Sequence, residues 1–150
     1  VAANVLIDIE VLADNYLQPG WPVHQLWHFH TLLIGGLAGA ALGLGVYCIK
    51  PLRRLSEKGM ALLGVPVKAS WGSMPAAGVL GAWLHVLIDS FYHYDVQIFW
   101  PYPFNSVGQW VSGLTDLNLN QLQPYVVLVC TVFWLLLFVL YAAILIRGKK

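Results

Sequence analysis

Charged residues are scarce in this chain: Asp, Glu, Lys and Arg together make up 10% of its 150 residues, whereas 59% are apolar. With a mean hydropathy of +0.68, this composition excludes an ordinary soluble domain and indicates an integral membrane protein. The two cysteines lack CxxC spacing, which excludes a zinc ribbon and a dithiol redox motif. The sequence also lacks a glycine-rich phosphate loop and a basic-aromatic pattern, so we expect neither a nucleotide nor a nucleic acid as a partner.

Three apolar stretches are long enough to cross a lipid bilayer, at about 27–49, 74–94 and 124–146. Each is close to the ~20 residues that a helix needs to cross ~30 Å of hydrocarbon. Before them, the apolar run VAANVLI at the N-terminus is too short to span, and we expect it to be the end of a helix that begins upstream. The predicted fold is all-α: a single membrane domain over residues 1–150 with three full transmembrane helices.

Small residues are concentrated in the first predicted span. A face of this kind favours close packing against another helix in a membrane. The residues concerned are Gly35, Gly36, Gly39, Gly43 and Gly45, with Ala38, Ala40 and Ala41.

Basic residues occupy only two blocks of the chain, 50–68 and 147–150, whereas all five histidines and six of the seven carboxylates lie elsewhere. Basic segments beside transmembrane helices stay on the cytoplasmic side. We therefore expect the loop 50–70 and the C-terminus in the cytoplasm, and the histidines and most carboxylates outside the cytoplasmic membrane. The simplest role of the basic side chains is to anchor helix ends; lipid phosphate binding by Arg53 and Arg54 is an alternative.

Three polar residues interrupt the second span at regular spacing. His85, Asp89 and His93 stand at i, i+4 and i+8 in HVLIDSFYH. Because four residues rotate ~40° around an α-helix, their side chains are predicted to project from one stripe near the outer end of the span. A carboxylate at the centre of a membrane helix costs ~2.5–3.5 kcal/mol, and less near the interface. Asp89 therefore requires a partner.

Further histidines and carboxylates are expected at the same membrane level. His24, His28 and His30 precede or begin the first span, and Asp8 and Glu10 follow the apolar N-terminal run. Histidine and carboxylate ligands suit zinc and, with more carboxylates, manganese or iron. No Lys or Arg on that side neutralises the carboxylates, so a divalent metal is predicted, with zinc favoured.

Each of these residues also has a simpler interpretation. For His24 and His93, two interpretations are equally favoured: a polar side chain that lies among the lipid headgroups, and a metal ligand. His85 and Asp89 would alternatively form a structural hydrogen-bonded pair or a proton relay. We expect the carboxylates of the predicted loops to be solvated turn residues; these are Asp14, Asp95 and Asp116. The metal site is favoured because so many ligand types occur together on one side.

Three short motifs resemble those of the membrane-bound metal-dependent hydrolase-like family of the YdjM type. The motifs here are IDIE, HFHTLL and HVLIDSFYHYDVQIFWP. The family pattern reads approximately as LPDxD, HRxxTHS, and HxxxD followed by Trp-Pro. The resemblance covers roughly residues 4–101, and HxxxD with its downstream Trp100 and Pro101 is its most specific part.

Residue by residue, the resemblance implies a metal site made of Asp8, Glu10, His30, His85 and Asp89. Glu10 would be a ligand or the general base. This chain departs from the family pattern in having Ile7 for Pro, Glu10 for Asp and Thr31 for Ser. The earlier histidine of the second family motif has no match at its usual spacing, since His24 lies too far and His28 too close; with His93, they are additional candidate ligands.

The implied activity is metal-assisted hydrolysis at the outer leaflet, where a lipid-type phosphoester is the natural substrate. The alternative is an accessory subunit of a larger membrane complex, in which the metal site is structural or vestigial. The segment 95–123, rich in aromatic residues and proline, is expected to lie at the headgroup level. Its alternative roles are a lid over the site and a docking surface for another subunit. The expected partners are thus the lipid bilayer and, in the alternative, other membrane subunits.

Overall fold

A computed structural model of the chain describes residues 2–17, 22, 24–65, 67–91 and 93–147. The predictions that concern Val1, Lys149 and Lys150 lie outside these residues. The described part contains six α-helices and no strand, which confirms the all-α prediction. They are α1 (Ala2–Leu17), α2 (Leu32–Cys48), α3 (Lys50–Leu62), α4 (Ser73–Asp89), α5 (Ser106–Thr115) and α6 (Leu119–Arg147).

Helices α2 and α4 form the central antiparallel pair of the fold, and glycines bring their backbones into contact. A Cβ atom on Gly39 would lie 2.3 Å from the Gly78 carbonyl oxygen, and one on Gly78 would lie 1.9 Å from that of Gly39. A Cβ on Gly43 would meet the Met74 carbonyl oxygen at 2.2 Å. The small-residue face predicted for the first span is therefore a packing surface, except at Gly45, which faces open space.

Replacing Gly78 with Ala should destabilise the fold by about 1–3 kcal/mol, because the added methyl group has to push two helix backbones apart. Gly45→Ala is the matched control, since a Cβ there meets nothing within 4 Å and alanine has the higher helix propensity. The measurement is reversible unfolding of the purified chain in detergent. Equal stability of the two variants would contradict the observed helix contact.

Helix α1 packs against α4 and α2 through one face. Its buried residues are Ala3, Ile7, Glu10 and Asp14, whose spacing of three and four residues places them on a single helical stripe. The hydrophobic core is formed by Ile7 with Ala82, Val86, Val96 and Ile98. The last two belong to the segment 95–123, so this segment is partly core and not only a surface belt, although its aromatic residues Phe99, Tyr102 and Trp110 are exposed.

Two of the predicted spans are longer than the helices found in their place. Helix α2 begins at Leu32 because Thr31 caps it, accepting a hydrogen bond from the Ile34 N–H, and His28 has a positive φ of 55°. Helix α4 ends at Asp89. The prediction that His93 continues the helical stripe of His85 and Asp89 is therefore wrong, because His93 lies beyond the end of the helix.

One helix in the described part of the chain is by itself long and apolar enough to cross a membrane. It covers Leu119–Ile144 of α6, and none of its most apolar stretch is buried. Helices α2 and α3 satisfy the same criterion only as one segment bent by 96°, and α4 is an apolar helix of 17 residues. The structure thus supports one membrane-crossing helix by length and composition, and a second only if α2 and α3 form one bent span.

Candidate metal centre

Four of the five metal ligands predicted from the sequence come together in space. Asp8 on α1, His30 before α2, and His85 and Asp89 on α4 each offer one ligand atom, and these atoms lie within 4.8 Å of one another. The Nε2 atom of His85 is 3.1 Å from Asp8 Oδ1 and 3.1 Å from Asp89 Oδ2. The Nε2 atom of His30 is 3.5 Å from Asp89 Oδ2. We call these four residues the primary group.

The local structure explains why the primary group converges. His85 and Asp89 are one helical turn apart, so they share a face of α4. The packing of α1 against α4 brings Asp8 beside that face. His30 is held in the turn that leads into α2, where the Leu32 N–H donates to the Ile98 carbonyl oxygen at 3.0 Å. Three separate segments of the chain thus contribute ligands.

The Nε2 atoms of His30 and His85 are buried, and neither makes a well-aligned hydrogen bond to a described residue. Carboxylate oxygens lie close to both nitrogens, but not in hydrogen-bonding geometry. Buried polar atoms are nearly always satisfied by a partner. Two such nitrogens directed toward one carboxylate, that of Asp89, are an arrangement that suits a shared cation.

Glu10 lies behind His30, outside the primary group. Its side chain is fully buried, and its Oε2 atom is 2.8 Å from His30 Nδ1 and accepts a hydrogen bond from the His30 backbone N–H at 3.2 Å. A donor at Nδ1 leaves the lone pair of His30 on Nε2, where the primary group lies. Burial alone would raise the pKa of Glu10, but the hydrogen bonds from His30 and from the Trp27 backbone N–H hold it below its usual value.

A second group of ligand type adjoins the first. His24, His93 and Asp95 offer atoms within 4.8 Å of one another. The backbone N–H of His24 donates to Asp95 Oδ2 at 3.1 Å, and its ring Nδ1 lies 2.8 Å from the same oxygen. The ring centroid of His24 is 4.5 Å from those of both His93 and His30. Burial and the nearby His24 lower the pKa of His93. We call these three residues the secondary group.

Two carboxylates expected in solvated turns are buried instead. Asp14 is 2% exposed and Asp95 is 5% exposed, so that prediction is wrong for both. Asp14 accepts hydrogen bonds from the backbone N–H groups of Gln25 and Leu26 and thereby fixes the segment that carries the histidines. Its position four residues after Glu10, on the face of Ile7, is the sequence signal that indicated burial. Asp116 is exposed, as predicted.

His28 belongs to neither group. Its half-buried ring stacks on Trp100, with ring centroids 5.1 Å apart, and its carbonyl oxygen accepts a hydrogen bond from the Thr31 hydroxyl. The structure therefore gives His28 a role in shaping the turn before α2. It also makes His28 a suitable control residue in experiments on the two groups.

No family model, curated protein or solved structure matches this chain. The resemblance of its motifs to the hydrolase-like family therefore stays a prediction.

Proposed function

We propose that this chain is a small membrane enzyme that binds a divalent metal ion at the primary group and hydrolyses a lipid-type phosphoester. The observation that carries the proposal is the convergence of Asp8, His30, His85 and Asp89 within 4.8 Å, with two buried imidazole nitrogens directed at the Asp89 carboxylate.

The donor set of the primary group favours zinc. Two imidazole nitrogens and two carboxylates match a tetrahedral zinc site, whereas manganese and iron prefer more oxygen ligands. A zinc ion bound there would lower the pKa of a water ligand toward ~7 and supply hydroxide at neutral pH. A substrate would reach the primary group from the side of Asp8. The side chain of Asp8 is 55% exposed, whereas His30 and Asp89 are buried.

Asp8 is the residue of the primary group best placed to serve the reaction. As the exposed ligand, it can leave one coordination position to the substrate or accept the proton of the attacking water. Glu10 is less suited to that task, because both of its carboxylate oxygens already accept hydrogen bonds from His30 and Trp27. We therefore assign Glu10 the role of a positioning residue for His30.

The proposed membrane arrangement places α2 and α4 across the bilayer together with α6. Seventeen residues of helix are about 25 Å long, close to the thickness of the hydrocarbon core. The primary group lies at the N-terminal end of α2 and the C-terminal end of α4, and the basic residues of 50–68 lie at the opposite ends. With these basic residues in the cytoplasm, the metal would lie at the outer leaflet of the cytoplasmic membrane, level with phospholipid headgroups.

The accessory-subunit alternative is supported by a different observation. The most apolar stretch of α6 is unburied among the described residues and is available to lipid or to another membrane subunit. In that case the primary group would be a structural site, closed by a full set of protein ligands. An active preparation of the isolated chain would exclude this alternative as the sole function.

The test is to purify the chain without chelators, determine its metal content by elemental analysis, and assay phosphoester hydrolysis on phospholipid in vesicles. We expect at least one equivalent of zinc per chain, and activity that chelation abolishes and added zinc restores. Stoichiometric metal without activity on any phospholipid class would favour the structural alternative. Absence of metal would reject the proposed site.

The secondary group is expected to take a second ion beside the first, as in two-metal phosphoesterases. Wild-type protein should then contain two equivalents of metal, and Asp95→Asn should lower the content to one because Asp95 is the only carboxylate of that group. Asp116→Asn, which changes an exposed carboxylate, is the matched control. A wild-type content of one equivalent would instead identify the secondary group as a hydrogen-bonded support of the first.

A further inference from the structure

Helix α3 has an amphipathic surface. At 100° per residue, Leu52, Leu55 and Leu62 fall within one sector of the helix ~80° wide, and Arg54 and Lys58 lie on the flank beside this sector. The helix carries four basic residues and one acidic residue, and none of its residues is buried. Leu55 is 67% exposed and Leu62 is 89% exposed. The protein itself therefore leaves most of this apolar face uncovered.

The direction of α3 suits a helix that lies on a membrane surface. Its axis is bent by 96° from that of α2, so α3 runs parallel to the bilayer plane if α2 crosses it. It leaves α2 at the end opposite the primary group. An amphipathic helix in this orientation buries its apolar face among the acyl chains and presents its basic face to the headgroups.

Aromatic side chains lie beside α3, at the ends of the two helices that it connects. Tyr47, near the end of α2, and the exposed Trp71, just before α4, make an edge-to-face contact with ring centroids 6.4 Å apart. The guanidinium carbon of Arg53 lies 5.4 Å from the centre of the Tyr47 ring. Tyrosine and tryptophan are enriched at the boundary between hydrocarbon and headgroups. The connection from α3 to α4 is tied to this layer by Glu57, which accepts a hydrogen bond from the Ala69 N–H.

We propose that α3 is an interfacial helix that binds anionic phospholipid headgroups through Arg54 and Lys58 while its leucines enter the same leaflet. Charge complementarity selects the occupant, because a basic helix face beside an uncovered apolar face matches an anionic bilayer surface and not a zwitterionic one. Arg54 and Lys58 are close enough to line one shallow surface depression together, so both can face the same layer of headgroups. This inference does not depend on the metal site.

The depth of α3 is tested with the full chain reconstituted in phosphatidylcholine vesicles that contain phosphatidylglycerol. With Cys48 and Cys130 replaced by Ala, Leu55→Cys and Arg54→Cys each receive a nitroxide spin label. The label at position 55 should contact oxygen dissolved in the acyl chains, and the label at position 54 should contact a water-soluble nickel chelate. Equal exposure of both positions to water, or shielding of both from lipid and water by a bound protein, would overturn the proposal.

Headgroup selectivity is tested by the ratio of phosphatidylglycerol to phosphatidylcholine that remains bound after purification. The double variant Arg54→Gln/Lys58→Gln should lower this ratio on the order of tenfold, because each basic residue near an anionic surface contributes several-fold to binding. Lys68→Gln removes a basic residue of the same loop outside α3 and should leave the ratio unchanged. Circular dichroism verifies that the variants are folded. An unchanged ratio in the double variant would overturn the headgroup assignment.

Discussion

His85→Ala is expected to remove the metal from the primary group and to abolish hydrolysis of the phosphoester. The Nε2 atom of His85 lies 3.1 Å from both Asp8 and Asp89, so the variant loses a central ligand and leaves two carboxylates facing each other. The loss of metal affinity should exceed the roughly 10–100-fold that removal of an outer-shell partner costs. Elemental analysis and the vesicle assay measure the two effects.

The same variant should also loosen the packing of α1 on α4, because two carboxylates without a cation between them repel each other. The matched control is His28→Asn, which removes a half-buried histidine stacked on Trp100 but no ligand of either group, and asparagine tolerates the positive φ of 55° at this position. Metal content and activity should remain at the wild-type level in this control. Retention of full metal content in His85→Ala would refute the primary group as the binding site.

Glu10→Gln is expected to weaken metal binding by roughly 10–100-fold while leaving hydrolysis near the wild-type rate once metal is saturating. The physical reason is that the ionised carboxylate orients the His30 ring through Nδ1 and keeps the lone pair of its Nε2 atom toward the primary group. Titration of the chelated protein with zinc, followed by the assay at each concentration, separates affinity from rate.

Asp14→Asn is the matched control for Glu10→Gln. Asp14 is also a buried carboxylate on the same face of α1, but its hydrogen-bond donors are the backbone N–H groups of Gln25 and Leu26. The substitution should lower thermal stability with little change in zinc affinity. If Glu10→Gln stayed inactive at saturating zinc, Glu10 would be the general base that the sequence resemblance implies.

The spacing of His85 and Asp89 allowed their shared orientation to be predicted, since it depends only on the geometry of one helix. The close approach of α2 to α4 was likewise indicated by the glycines of the first span. The prediction that His93 continues this helical stripe was wrong because the end of α4 depends on contacts with a distant segment. The Asn105 side chain donates hydrogen bonds to the carbonyl oxygens of Ser90 and His93. Sequence periodicity contains no information about such contacts.

The roles of Glu10 and Asp95 also depend on contacts between separate segments, which the sequence does not reveal. As a residue type, Glu10 is as good a ligand as Asp8, and only the rotation of α1 against its neighbours turns one carboxylate toward His85 and the other toward His30 Nδ1. Asp95 lies in a predicted loop, for which the sequence indicates a solvated turn residue. Its burial against His24 results from the return of the chain over the end of α4, where Val96 and Ile98 enter the core.

The sequence by itself determined the helical class of this protein, its apolar character, and the separation of its basic residues from its histidines, because composition and spacing along the chain are sufficient for these properties. Only the tertiary structure decided which side chains meet. The primary group joins three segments that are distant in sequence, and its convergence depends on the packing of α1 against α4 and on the capped turn at Thr31. Such convergence depends on contacts between separate segments, which no local pattern encodes.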